Sequence, residues 1–133
     1  MGAGTLLQQL KDLSVSLGVG KKVDFCGYQT NVYNWLSNAS LFVLSSPSES
    51  FGNVVVEALA SGVPIIASNC GGPSEILEGG RYGTLFEIGN VEQLCLKMND
   101  ALIFQFVHPQ SYKKAMLYSV KNCADDYLNL IKN

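Results

Sequence analysis

Two carboxylates, Glu49 and Glu57, stand eight positions apart on either side of a Phe51-Gly52-Asn53 step. Carboxylate oxygens accept hydrogen bonds from sugar hydroxyls. A turn that opens a helix leaves backbone N–H groups without intrahelical acceptors, and the positive end of the helix dipole favours phosphate. A ligand carrying both groups, a nucleotide-sugar, satisfies this stretch from both sides. Gly52 removes the Cβ that would obstruct a close ligand. Glu57 lies one turn beyond Asn53, so the two carboxylates can flank a bound phosphate at different distances along it. On spacing alone a plainer alternative stays open, in which Glu57 solvates an amphipathic helix and Glu49 sits in an ordinary loop.

The elements that must position these residues follow from the apolar pattern. Leu41-Phe42-Val43-Leu44 is a continuous apolar run that stops at Ser45-Ser46-Pro47, as a buried parallel strand does. Glu49 therefore lies beyond its carboxyl end, where ligands bind in open α/β sheets. A helix is expected from Asn53 to Ala60 with Gly62 at its C-cap, then a strand over Val63–Ala67. Gly71-Gly72-Pro73-Ser74-Glu75 opens a short helix with an acid near its positive end. Gly83–Phe86 reads as a strand and Val91–Phe104 as a helix, with one or two more helices over Pro109–Asn133. Upstream, leucines at 6, 7, 10, 13 and 17 mark an amphipathic helix ended by Gly18, and Lys22–Phe25 alternates as a short strand. Val32–Asn38 is a further short helix. Strands alternating with helices give an α/β fold, a Rossmann-like and mostly parallel sheet with flanking helices. Only four strands are expected, and Met1-Gly2-Ala3-Gly4 reads as the end of a first strand that the chain lacks. Residues 1–133 are expected to form one partial domain.

Composition narrows the function classes. The 133 residues are 47% hydrophobic and 15% charged, as in a compact globular protein. A net charge of −2 offers no electrostatic footprint for nucleic acid or an anionic membrane. The paired lysines at 21–22 and 113–114 read as solvated faces. Cys26, Cys70, Cys95 and Cys123 form no C-x-x-C and, with His108 alone, no zinc set, so buried or half-buried reduced thiols are expected. No run reaches the roughly 18–20 apolar residues of a membrane span, and the first residues lack the basic-then-apolar pattern of a signal peptide. A soluble, cytoplasmic protein is expected, its parent enzyme at most peripheral at a membrane. A dinucleotide-binding dehydrogenase fits poorly, because Gly2-Ala3-Gly4 lacks the third glycine and the preceding strand.

The stretch from Phe42 to Ala67, with Glu49-Ser50-Phe51-Gly52 followed by an apolar helix and Glu57-Ala58, resembles the donor-site signature of retaining GT-B glycosyltransferases of family 4, whose motif is E-x7-E. The similarity continues through Val23–Gly27, Gly71–Ile76 and Gly83–Phe86 and spans about residues 1–105. A sugar-nucleotide epimerase of similar architecture fits the E-x7-E string less well.

The resemblance implies the C-terminal, donor-binding half of a GT-B enzyme that transfers a sugar from a nucleoside-diphosphate-sugar with retention of configuration. Glu49 matches the glutamate that meets the transferred sugar and is the catalytic candidate. The N–H groups of Phe51, Gly52 and Asn53 match those that bind sugar and phosphate, and Val54 and Val55 lie near the diphosphate. Glu57 matches the residue that holds the ribose. Gly27 and Tyr28 match residues near the base, although half-buried packing explains Tyr28 equally well. Gly71 and Gly72 match a Gly-rich turn lining the cleft, for which turn geometry is an alternative role. The resemblance implies no metal, no cofactor and no protein nucleophile. The family's basic Arg and Lys, and the N-terminal GT-B domain that holds the acceptor, are expected to be absent from this chain, which alone would then be inactive. A non-catalytic nucleotide-sugar-binding module or an inert truncated paralogue is the alternative.

Overall fold

Four consecutive buried residues, Ile65-Ile66-Ala67-Ser68, form the middle strand of a three-stranded parallel sheet. A computed structural model describes residues 4–131 of the chain. In chain order the sheet contains β1 (Phe42–Leu44), β2 (Ile65–Ser68) and β3 (Thr84–Phe86), and their spatial order is the same. Phe42 pairs with Ile65 and Leu44 with Ala67, while Ile66 pairs with Thr84 and Ser68 with Phe86. A central parallel strand is covered on both faces, and the uninterrupted apolar run of β2 is the sequence form of that burial.

The helices are α1 (Leu7–Ser16), α2 (Val32–Leu36), α3 (Asn53–Ser61), α4 (Gly71–Ile76), α5 (Val91–Phe104), α6 (Ser111–Met116) and α7 (Val120–Ile131). The core draws Val55, Ala58 and Leu59 from α3, Ile65, Ile66 and Ala67 from β2, Ile76 and Leu77 from the end of α4, and Phe86 from β3. Each large side chain so buried contributes about 1.5–3 kcal/mol of transfer free energy. Asn90 caps α5 by accepting the Gln93 N–H at 2.9 Å, which fixes the start of that helix where its sequence pattern begins.

The chain divides into two compact units, Met1–Val32 and Tyr33–Asn133. In the first, α1 is amphipathic as expected, but its leucines are exposed: Leu10 retains 50% and Leu13 52% of its accessible surface. Lys22–Phe25 is not a strand. Val23 has extended dihedrals, φ −119° and ψ 118°, but no neighbouring strand pairs with it, and extended backbone becomes a sheet only through a ladder. Three strands, not four, are therefore present among the described residues. The strand end expected at Met1-Gly2-Ala3 lies outside them.

Local charges also depart from expectation. Because α4 begins at Gly71, Glu75 falls beyond its first turn and does not serve the helix N-terminus. Lys114 is buried, while Lys113 is exposed. All four cysteines are free; Cys70 is buried and Cys26 half-buried, but Cys95 and Cys123 are exposed. No helix among the described residues is long and apolar enough to cross a membrane.

Candidate functional site

Glu49 lies in the loop that leaves β1, and Gly52 is the N-cap of α3 with left-handed dihedrals, φ +96° and ψ 56°. A residue with a Cβ pays a steric penalty there, so glycine turns the chain sharply into the helix. The Glu49 stem packs over this bare position: its Cγ lies 3.4 Å from where a Gly52 Cβ would stand, with Pro73 Cγ at 3.5 Å.

The Val55 N–H donates to the Gly52 carbonyl at 2.8 Å and closes the first turn. Its side chain is fully buried, so Val55 shapes the turn from beneath. The N–H groups of Phe51, Gly52, Asn53 and Val54 have no acceptor among the described residues. They gather at the positive end of α3, where an anion is favoured.

A second loop holds the first. The Gly72 N–H donates to the Glu49 carbonyl at 3.1 Å, and a Cβ on Gly71 would approach that same oxygen to 2.7 Å. A Cβ on Gly72 would fall on the carbonyl of Phe51. The Gly-Gly pair thus permits close approach of two backbones, a role beyond turn geometry. Further back, the Ser68 hydroxyl donates to the Ser46 carbonyl at 2.5 Å, tying the end of β2 to the loop after β1.

Glu49 is half-buried and Glu57 exposed. Neither carboxylate has a hydrogen-bond or ion-pair partner among the described residues. The structure therefore brings Glu49, Phe51, Gly52, Asn53, Val54, Val55 and Glu57 together at the carboxyl end of β1 and the start of α3. Gly27 and Tyr28 belong to the other unit, where Gly27 has φ +64° and Tyr28 is 77% exposed. Among the described residues no group of three His, Cys, Asp or Glu side chains could hold a metal ion.

Sequence reasoning missed a cluster beside this loop. Lys114 Nζ is 2.8 Å from Glu78 Oε1, and Arg81 pairs with the other carboxylate oxygen at 3.2 Å. Lys114 also lies over the rings of Tyr82, at 5.7 Å, and Tyr118, at 5.4 Å. Its hydrogen bond holds the Glu78 carboxyl below its ordinary pKa. Burial works against the Lys114 charge, but the hydrogen bond to Glu78 and the neighbouring Tyr118 outweigh it and raise that pKa. His108 is half-buried and meets the Tyr82 ring edge-on at 4.6 Å. The i, i+4 spacing of Lys114 and Tyr118 was the available signal; the Glu78 partner, 36 residues away, had none.

A cavity of about 200 Å³ is bounded by Pro64, Ile65, Gly83, Thr84 and Phe104 at the amino ends of β2 and β3. It lies at the opposite end of the strands from the Glu49 loop.

Residues 1–116 match the family model described as glycosyl transferases group 1. The chain belongs to this family. Among curated relatives, a probable sucrose-phosphate synthase of Thermosipho melanesiensis is 38% identical across 69% of this chain and 22% of its own length. A mannosylfructose-phosphate synthase of Agrobacterium fabrum is 31% identical across 96% of this chain and 30% of its own. This group 1 glycosyltransferase chain thus spans between a fifth and a third of those relatives. Its fold matches GT-B glycosyltransferase structures. One is Anabaena HepE in complex with UDP, with a TM-score of 0.86 at 23% identity, covering 95% of this chain and 36% of that one. Sucrose-phosphate synthase of Thermosynechococcus elongatus gives 0.86 at 24% identity, covering 97% and 34%.

Proposed function

We propose that this chain is the donor-binding part of a retaining, E-x7-E glycosyltransferase of family 4, and that its ligand is a nucleoside-diphosphate-sugar. The observation that carries this is the turn itself: N–H groups without acceptors at the start of α3, flanked by two unpaired carboxylates. The N–H groups of Phe51, Gly52, Asn53 and Val54 suit the phosphates, Glu57 the ribose hydroxyls and Glu49 the hydroxyls of the transferred sugar. The UDP named with the HepE structure agrees with such a ligand.

On this reading the bond from the anomeric carbon to the diphosphate oxygen breaks, and the diphosphate leaves with the electron pair. The acceptor hydroxyl bonds to the same face of the sugar, and its proton passes to the leaving phosphate. The chain's own contribution is electrostatic, with donors already oriented toward the charge that develops on the diphosphate. No metal and no protein nucleophile is assigned. Gly27 and Tyr28 are assigned to the base, and acceptor binding to an N-terminal GT-B domain.

A non-catalytic nucleotide-sugar-binding module is the second reading. Lys114 and Arg81 both pair with Glu78, and neither is assigned to the diphosphate in either reading. Calorimetry with UDP and UDP-glucose on Glu49→Ala and Glu57→Ala tests the donor-site assignment. Loss of Glu57 should weaken both ligands, and loss of Glu49 only the sugar-dependent part. Equal losses for free UDP from both variants contradict the assignment. A mass-shift transfer assay on this chain joined to an acceptor-binding N-terminal GT-B domain separates the two readings, since a binding module forms no product there with any acceptor.

A further inference from the structure

Phe51 is gripped from two sides. Its backbone lies against Gly72, where any side chain would collide with the Phe51 carbonyl. Its ring meets the Tyr118 ring edge-on, with centroids 5.5 Å apart and planes at 74°. Tyr118 follows α6 and is held in its own right, because Lys114 lies 5.4 Å from its centroid and is anchored to Glu78 at 2.8 Å. Lys114 keeps only 9% of its side-chain exposure. Phe51, by contrast, is 42% exposed, so the ring pair lies at the rim of the fold and not in its core. A rim contact of this kind contributes little to global stability, but it fixes one side chain in the turn that precedes the α3 N–H groups.

We propose that Tyr118 is a positioning residue for the Phe51–Val54 turn, bracing the Phe51 ring so that the N–H groups at the start of α3 keep the geometry a phosphate needs. This rests on the donor-site reading above for its consequence, but the bracing itself is a property of this chain alone. The edge-on ring pair supplies an orientation that an aliphatic side chain of similar size cannot reproduce. The tyrosine hydroxyl is not required for ring-to-ring contact, so phenylalanine should substitute and leucine should not.

Amide hydrogen exchange on the full chain tests this. The informative amides are Val55, bonded to the Gly52 carbonyl, and Gly72, bonded to the Glu49 carbonyl. Tyr118→Leu should speed exchange at both by roughly 2- to 10-fold, the range an aromatic pair is worth, and leave Ile66 and Ala67 of β2 unchanged. Tyr118→Phe should restore the wild-type rates. Phe51→Leu, made at an exposed site, should reproduce the local effect and serves if Tyr118→Leu does not fold. Unchanged rates at Val55 and Gly72, or equal acceleration at every amide, overturn the proposal. A UDP titration of the same variants then reads the consequence, weaker binding for Tyr118→Leu and rescue by Tyr118→Phe. If the wild type binds no nucleoside diphosphate, the donor-site reading fails while the exchange result still decides the bracing.

Discussion

Gly72 donates its backbone N–H to the carbonyl of Glu49 at 3.1 Å, so the loop after β2 holds in place the loop that carries the first carboxylate. The contact is possible only because neither Gly71 nor Gly72 has a side chain, and it links two strand-to-helix connections at the same end of the sheet.

Gly72→Ala should therefore destabilise the chain by about 1–3 kcal/mol, since the new methyl must push the Phe51 carbonyl aside. Gly79→Ala is the control, with nothing within 4 Å and only a left-handed backbone, φ +64°, to strain; its cost should be about 1 kcal/mol. Denaturant unfolding measures both, and a Gly72→Ala midpoint equal to wild type would contradict the close approach.

The core and the exposed face of α1 should respond to truncation to very different degrees. Leu59 is 1% exposed, and Leu59→Ala should cost about 2–5 kcal/mol. Leu10, half exposed on α1, should lose less than about 1 kcal/mol on the same change. Thermal melts of the two variants distinguish these sites directly.

The Glu78–Lys114 pair should give stability a pH dependence at both extremes. The Glu78 pKa is lowered in the folded state from 4.5, so its contribution is present above that value and is lost as pH falls through the lower folded value. The Lys114 pKa is raised from 10.5, so its contribution is present below that value and is lost as pH rises through the folded one. Glu78→Gln should melt at a lower temperature than wild type at neutral pH, and the difference should shrink below pH 4.5. A constant difference across that range contradicts the pairing.

The two carboxylates should separate functionally. In calorimetric titrations Glu57→Ala should weaken UDP by roughly 10- to 100-fold, the worth of a hydrogen bond to a charged group. Glu49→Ala should leave free UDP nearly unchanged and diminish the extra affinity of the UDP-sugar.

Legibility in the sequence followed the range of the interactions involved. The apolar run of β1, the helix from Asn53 and the fourteen-residue α5 were readable because periodicity and caps are local. Lys22–Phe25 was misread because alternation marks a strand's faces and says nothing of whether a partner lies alongside. The Gly71-Gly72 pair announced a turn, yet its contact with Glu49 and Phe51 spans some twenty residues and leaves no local mark. Likewise, Lys114 looked like half of a solvated pair until folding placed Glu78, Tyr82 and Tyr118 around it.

The most direct test of the central claim, that the start of α3 with Glu57 receives a nucleoside diphosphate, is an amide-resolved NMR titration of this chain with UDP, GDP and ADP. At least one of these ligands should shift the amides of Gly52, Asn53 and Val54 saturably by roughly millimolar concentration, and Glu57→Ala should remove the saturation. Amides that stay unmoved by every ligand at that concentration, or saturable shifts elsewhere that Glu57→Ala does not alter, would contradict it.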